Sequence, residues 1–258
     1  MNTALIGHTG FVGGSLARQT GFTHCYNSKN IEEIQGNAFE LLVISGMPAA
    51  KWIANGDPAA DRAILDRLWG CVSRCVAQQV VVMSTVDVYP KPVEVDEETV
   101  IDTAAQQTYG RNRLLLEELV KGHFSNTLVI RLPGLFGPGL RKNALYDLLH
   151  NNELHKVNAA GSFQFYNMNR LWDDVRKAQQ HQLGLVNFVT EPVTIGEAAR
   201  AAFGIDFTND TGTPPARYNI RSRHAQVFGG DHGYCYSREQ VLTEMGAWVR
   251  SEREGVSA

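Results

Sequence analysis

The strongest constraint on how this chain folds lies within its first twenty residues. Ala4-Leu5-Ile6 forms a short apolar strand, and Gly7-His8-Thr9-Gly10-Phe11-Val12-Gly13 leads from it directly into a helical stretch that ends near Gln19. Glycines at this spacing meet three separate needs. Gly7 makes the tight exit from the strand, Gly10 lets backbone approach a bound anion, and Gly13 lets helix and strand pack closely. The amides and dipole at the start of the helix then favour a diphosphate. A glycine-rich turn can exist without a ligand. Here, however, a strand precedes it and a helix follows, the context in which such a turn binds a dinucleotide.

The rest of the first half alternates strand-like and helix-like segments, which predicts a doubly wound parallel sheet covered by helices. Strands are expected at residues 22–26, 39–44, 80–83 and 127–131. The run Val80-Val81-Val82-Met83 is apolar on both faces, as in a fully buried strand. Helices are expected over 57–78, with Ile64, Leu68, Cys71, Val72, Cys75 and Val76 as the buried stripe, and over 107–122. Beyond Pro133 the pattern is less regular. A strand returns at 185–189, and Thr194 with Glu197 and Ser237 with Gln240 have the spacing of capping boxes.

Charge and cysteine usage narrow the partners. The chain has 258 residues, a formal charge of −3 and 43% hydrophobic residues. Nothing here supplies the basic field that wraps a phosphate backbone, so nucleic acid is not an expected partner. No apolar run approaches the roughly 20 residues that span a bilayer, so no membrane partner is expected either. Cys25, Cys71, Cys75 and Cys235 lack the spacing of a disulfide framework, and no Cys/His pair has metal-ligand spacing. Reduced thiols in a cytoplasm are the simplest reading, and no metal site is expected.

The end of the second strand bears on the cofactor. An acidic group about 20 residues after the glycine turn would bond the ribose hydroxyls of NAD. Asn27-Ser28-Lys29-Asn30 stands there instead, and Glu32 and Glu33 arrive too late. A hydroxyl, amides and an ammonium suit a 2′-phosphate, with Arg18 near by, so NADP is favoured over NAD.

Tyr109 and Arg113 lie at i and i+4 of an expected helix and share one face. Thr85 follows the buried strand, so its hydroxyl is expected at the carboxyl edge, where open parallel sheets bind ligands. A hydroxyl and a phenol converging beside a nicotinamide can polarise a carbonyl and exchange a proton. A cation about 5 Å from the phenol, at an effective dielectric near 20, contributes roughly 3 kcal/mol, or about two pKa units. Arg113 is expected to supply that charge, lowering the phenol toward neutrality before desolvation opposes it.

With these motifs in order, the chain resembles the extended short-chain dehydrogenase/reductase superfamily, in its NAD-dependent epimerase/dehydratase branch acting on nucleotide sugars. The resemblance rests on the glycine turn, Ser84-Thr85-Val86-Asp87-Val88-Tyr89, Tyr109-Gly110-Arg111-Asn112-Arg113 and Arg131-Leu132-Pro133-Gly134-Leu135-Phe136-Gly137-Pro138-Gly139. It implies a Rossmann-like fold with a small C-terminal substrate-binding cap. It also implies that Thr85 orients a carbonyl, that Tyr109 is the acid/base, and that Arg113 replaces the lysine that holds the nicotinamide ribose. Ser45 and Gly46 match the turn beside the adenosine ribose, and Pro133 matches the approach to nicotinamide. Asp87, Lys142, Asn143, Gln164, Tyr166 and Arg221 are the expected substrate contacts. Three positions depart from the family pattern: Arg113 for lysine, Gly134 for a substrate-touching asparagine, and Leu65 for a water-anchoring asparagine.

Together these features predict a dinucleotide-binding core over residues 1–135, rejoined by 155–190, and a cap built from 136–154 and 191–258. The expected activity is NAD(P)-dependent chemistry on a carbonyl/alcohol pair of a nucleotide-linked sugar. The alternative is a catalytically weak dinucleotide-binding sensor or partner protein, and the helices over 57–78 and 107–122 offer a face for a homodimer.

Overall fold

Six strands make one sheet in the computed structural model, which describes residues 1–255. They are β1 (Thr3–Ile6), β2 (His24–Tyr26), β3 (Ala38–Ile44), β4 (Val76–Thr85), β5 (Thr127–Leu132) and β6 (Leu185–Asn187), in the order β2-β1-β3-β4-β5-β6. The pairs from β2 through β5 are parallel. Ala4 and Ile6 of β1, with Leu42, Ile44, Val80 and Val82, contribute to a core that also contains Leu65, Leu68, Val72, Leu116 and Val120. Leu5, Val43 and Val81 lie between those residues in sequence and are also fully buried. Burial on both faces explains why these strands read as unbroken apolar runs. The protein therefore has a Rossmann-like α/β fold.

The helices of this layer are α1 (Phe11–Gln19), α2 (Lys51–Gly56), α3 (Pro58–Val72) and α4 (Thr108–His123). Asp57 caps α3 by accepting a hydrogen bond from the Ala60 amide, and Pro58 occupies the first turn, where its missing N–H costs nothing. The helix expected over 57–78 therefore starts where the sequence places it but stops at Val72. The Cys75 amide donates to the Val72 carbonyl in a turn, and the Val76 amide donates to Asn37. Residues 76–79 thus belong to a longer β4 paired along β3. The buried face of α3 runs through Asp61, Leu65, Leu68, Cys71 and Val72, whereas Ile64 and Val76 are exposed. Cys75 packs in the core, where burial pushes its thiol up to about 11.

A buried polar cluster ties α4 to the sheet. Glu117 accepts hydrogen bonds from Arg131 of β5, with Nη2 to Oε2 at 2.7 Å, and from the Ser84 hydroxyl of β4. The Arg131 Nη1 donates to the Tyr89 hydroxyl at 2.7 Å. Glu117 is 0% and Arg131 3% exposed. A charge stripped of water to this extent is tolerated because its partner is equally buried and directly bonded.

Contacts divide the chain into two units. One contains residues 1–91, 98–132 and 172–186; the other contains 92–97, 133–171 and the chain from 187 onward. Residues 155–171, expected to rejoin the core, cluster with the second unit instead. The reason is local pairing: Phe165–Asn167 runs parallel to Gly134–Phe136, and the buried Gln164 amide bonds the carbonyls of Thr190 and Ile220. Both capping boxes form in this unit. Thr194 and Glu197 cap each other reciprocally, and Ser237 and Gln240 do the same at the start of the helix Arg238–Gly255. Among the described residues no helix is long and apolar enough to cross a membrane.

Glu117→Gln or Arg131→Met leaves one buried charge unpartnered, so each should lower unfolding stability by about 3–5 kcal/mol. The double variant Glu117→Leu/Arg131→Met should recover at least half of that loss in urea denaturation. A double variant no better than the singles would show that the pair is not the unit of stability.

Candidate active site

The glycine turn is built so tightly that side chains are excluded from it. Gly7 has φ +86, and a Cβ there would lie 2.4 Å from the Ser45 carbonyl oxygen; a Cβ on Gly13 would lie 2.2 Å from the Gly7 carbonyl oxygen. The Gly10 amide donates to Gly7 O at 3.0 Å, closing the turn before α1. No side chain caps α1, and its first turn carries no acidic residue. The opening amides of a helix have no intrahelical acceptor, so those at Phe11, Val12 and Gly13 suit an anion. Thr9 and Gly10 are exposed, and His8 bonds the Tyr26 carbonyl through Nδ1 at 3.1 Å. The Ser45 amide and hydroxyl both donate to the Ile6 carbonyl, fixing the Ser45-Gly46 turn beside the end of β1. The strand order reverses at β1, with β2 on one side and β3 on the other, which is where such sheets take up nucleotides. A cradle that a Cβ would fill and a helix start without its own cap fit a dinucleotide's diphosphate.

The turn after β2 is less open than its composition suggests. The Asn27 side chain accepts from the Lys29 amide at 2.8 Å, and Asn30 accepts from the Asn27 amide and donates to the Cys25 carbonyl. Both amide side chains therefore shape the turn itself. Ser28 and Lys29 are exposed. Arg67 of α3 reaches this turn from 39 positions away, donating to the Ser28 carbonyl at 2.9 Å and pairing with Glu32. Sequence reading missed Arg67 because nothing local marks it.

At the carboxyl end of β4, the Thr85 hydroxyl accepts from the Asp87 amide at 3.1 Å and lies beside the phenol of Tyr109, whose ionised form it favours. Gly110 allows α4 to approach that closely: a Cβ there would sit 2.1 Å from the Asp87 carbonyl oxygen. The Tyr109 amide, near the start of α4, donates to Asn55 Oδ1 at 2.9 Å, and Asn55 Nδ2 donates to Gln107 at 2.8 Å. An α2 residue thus does the capping that Gln107 does not do itself. Asp87 pairs with Lys51 of α2 at 2.8 Å.

Arg113 is placed quite differently from the open cation expected. It is 4% exposed. Its Nη1 donates to Asp61 Oδ2 at 2.6 Å and to the Tyr109 carbonyl at 3.3 Å, and its Nη2 donates to the Pro48 carbonyl. Asn112 donates to the same Asp61 oxygen at 2.7 Å. The guanidinium carbon lies 4.0 Å from the centre of the Tyr109 ring, within cation–π range. The phenol pKa is raised above its ordinary value of 10.0 and not lowered toward neutrality. Burial is the largest cause; Arg113 opposes it, Asp87 reinforces it, the Thr85 hydrogen bond opposes it and Asp61 reinforces it. Two expectations are therefore revised. The arginine charge does not dominate the phenol, and its hydrogen-bonding edge is occupied by protein acceptors and not held out toward a ribose.

The expected substrate contacts of the second unit are mostly committed to structure. Gln164 donates to two carbonyls and accepts from the Ile220 amide, at 1% exposure. Tyr166 is fully buried between Phe188 and Tyr236. Asn143 caps the helix Ala144–His150 through Oδ1 and donates to the Leu135 carbonyl through Nδ2. Arg221 donates to the His232 carbonyl and lies 4.4 Å from the Tyr234 ring centre. Pro133 links the end of β5 to Gly134. A Cβ on Gly134 would lie 2.9 Å from the Gln164 carbonyl oxygen, so an asparagine could not sit there without a shift. Lys142 is exposed, and desolvation by surrounding atoms lowers its ammonium pKa. It is the expected contact that best retains a free cationic head.

Gly110→Ala should push α4 away from the Asp87 carbonyl and cost about 1–3 kcal/mol as an overpacked contact. Dinucleotide affinity should stay within a few-fold, because the glycine turn is untouched. Calorimetric melting together with NADPH titration checks both parts.

Residues 44–161 match the NAD dependent epimerase/dehydratase family. No curated protein sequence matches the chain. Among solved structures, RMD from Pseudomonas aeruginosa complexed with NADPH aligns with a TM-score of 0.75 at 14% identity, over 98% of this chain and 100% of that one. The dTDP-4-dehydrorhamnose reductase of Bacillus anthracis in complex with NADP aligns with a TM-score of 0.75 at 14% identity, covering 97% of this chain and 99% of the other. The UDP-glucose 4-epimerase of Thermotoga maritima with UDP-glucose gives 0.72 at 13%, over 99% and 100%. The chain is thus a Rossmann-like α/β protein whose residues 44–161 match the model of the NAD dependent epimerase/dehydratase family.

Proposed function

We propose that this protein is an NAD(P)-dependent oxidoreductase acting on a carbonyl/alcohol pair of a nucleotide-linked sugar, with NADP the preferred cofactor. The observation that carries this reading is the placement of the Tyr109 phenol beside Thr85 at the carboxyl end of β4, with Gly110 seating α4 against the Asp87 carbonyl. It supplies a hydroxyl and a proton donor side by side. The backbone around Gly7, Gly10 and Gly13 would hold the diphosphate, and Ser45 and Gly46 would flank the adenosine ribose. Ser28 and Lys29, with Arg67 behind them, would meet a 2′-phosphate. A bound reduced nicotinamide supplies the hydride. Thr85 orients the substrate carbonyl, and Tyr109 delivers a proton to its oxygen. Lys142 is the proposed cation for a substrate phosphate. The dTDP-4-dehydrorhamnose reductase and UDP-glucose 4-epimerase that share the fold support this substrate class.

Tyr109→Phe should reduce NADPH-dependent turnover of a nucleotide-linked keto sugar by about 100-fold or more, with NADPH affinity within a few-fold of the parent. Undiminished turnover would remove Tyr109 from proton transfer. Lys29→Ala should weaken NADPH binding about tenfold, the scale of one charged hydrogen bond, while NADH binding changes less than twofold. Equal losses for the two cofactors, measured by fluorescence titration, would argue against a 2′-phosphate contact.

A further inference from the structure

A buried carboxylate next to the reactive helix has no part in the proton-transfer scheme above. Asp61 is 4% exposed and lies on α3, facing α4. One of its oxygens accepts from two consecutive α4 residues, Asn112 at 2.7 Å and Arg113 at 2.6 Å. The arginine it holds is bonded on its other side to the Pro48 carbonyl, so the guanidinium is gripped from two elements outside its own helix. The grip leaves the guanidinium carbon 4.0 Å from the Tyr109 ring centre. A cation so close to a phenol would ordinarily pull it toward the ionised form. A carboxylate bonded directly to that cation, with both groups out of water, opposes the pull.

We propose that Asp61 is a positioning residue of the reactive centre: its carboxylate clamps the Arg113 guanidinium over the Tyr109 ring and offsets its charge, so that the phenol enters the reaction as a proton donor to a carbonyl oxygen. This inference rests on the oxidoreductase reading for its chemical consequence, but its electrostatic part stands on the geometry alone. In the step it favours, the carbonyl carbon gains hydride from a reduced nicotinamide dinucleotide. The carbonyl oxygen takes the Tyr109 proton, and solvent returns a proton to the phenolate. The reverse reaction needs the phenol ionised beforehand and is confined to alkaline pH.

The charged groups around the phenol are Arg113 on its own helix, Asp61 from α3, and Asp87 from the turn after β4, itself paired with Lys51 of α2. The carboxylates of this set oppose Arg113, and burial acts in their direction.

The test reads the phenol directly in the full-length protein, by NMR titration of tyrosine labelled with 13C at Cζ, with Tyr109→Phe assigning the signal. Measurements are made with and without NADPH. Asp61→Asn, which keeps the shape but leaves Arg113 uncompensated, should lower the Tyr109 midpoint by about one unit or more, the usual scale for an unopposed neighbouring cation. Should that variant not fold, Asp61→Asn/Arg113→Met removes both charges and should raise the midpoint by less than about one unit. A larger rise would show that Arg113 acts on the phenol unopposed and would overturn the inference, as would an unmoved midpoint in Asp61→Asn. Turnover separates this outcome from failure of the enzyme reading. If the midpoint shifts as expected but no variant, nor the parent, reduces a nucleotide-linked keto sugar, the electrostatic assignment holds and the oxidoreductase reading fails. If the parent turns over, the alkaline limb of its reduction profile should move to lower pH in Asp61→Asn by the shift seen in the NMR titration.

Discussion

Helix α4 has charged side chains on buried faces, and everything proposed for the reactive centre depends on how those charges are satisfied. Arg113 lies near its first turns and Glu117 one turn further on, at 4% and 0% exposure. Each would be costly there without a partner, because desolvating a lone charge costs more than the helix could recover by packing. Asp61 of α3 answers Arg113, and Arg131 of β5 answers Glu117. The two pairs fix the helix relative to its neighbours more tightly than apolar contacts alone, since hydrogen bonds at 2.6 and 2.7 Å specify direction as well as distance. Tyr109 inherits that precision. Its phenol stands beside Thr85 because α4 is seated against the Asp87 carbonyl by Gly110 and pinned further along by Asp61.

The arginine also changes what the centre can do. A lysine ammonium at the corresponding place would be a compact point charge with a flexible stem. Arg113 is a planar fork whose two terminal nitrogens are bonded to Asp61, Pro48 and the Tyr109 carbonyl. Its edge serves the protein, and only its face addresses the phenol. A face-on cation acts on the ring through its quadrupole as well as its charge, and its charge is already partly spent on Asp61. Desolvation by burial is the largest influence and prevails over the attraction of Arg113, with Asp87 and then Asp61 reinforcing it, so Tyr109 holds its proton more firmly than a free tyrosine.

What the sequence made legible was whatever depends on near neighbours. The glycine turn, the apolar strands, the two capping boxes and the i,i+4 placement of Tyr109 and Arg113 all involve residues within a few positions of each other. Each therefore leaves a local pattern. The end of α3 was misplaced because Cys75 and Val76 continue its apolar pattern. Only the pairing of Val76 beside Ala38 on β3 turns them into strand. The side-chain partners were invisible for a simpler reason. Asp61 lies 52 positions from Arg113, and Arg67 lies 39 from Ser28. An aspartate one turn into a helix that starts at Pro58 looks like an ordinary favourable charge near a helix N-terminus, and nothing local distinguishes it from one that faces solvent. Gln164 and Tyr166, expected as substrate contacts from the family resemblance, likewise bond or stack on groups more than 20 positions away.

The substitution at position 113 is consequently a coupled departure and not a single one. Placing lysine there would leave Asp61 and the Pro48 carbonyl in place as acceptors. They would draw the ammonium toward α3 and away from any ribose, and one lysine cannot serve acceptors arranged for a fork. Conversely, a carboxylate at 4% exposure is costly to bury unless a cation reaches it, and Arg113 reaches Asp61. The arginine and the aspartate thus require each other, and the phenol responds to the pair. A site of this kind is tuned through the distance between two buried side chains, neither of which need touch the substrate.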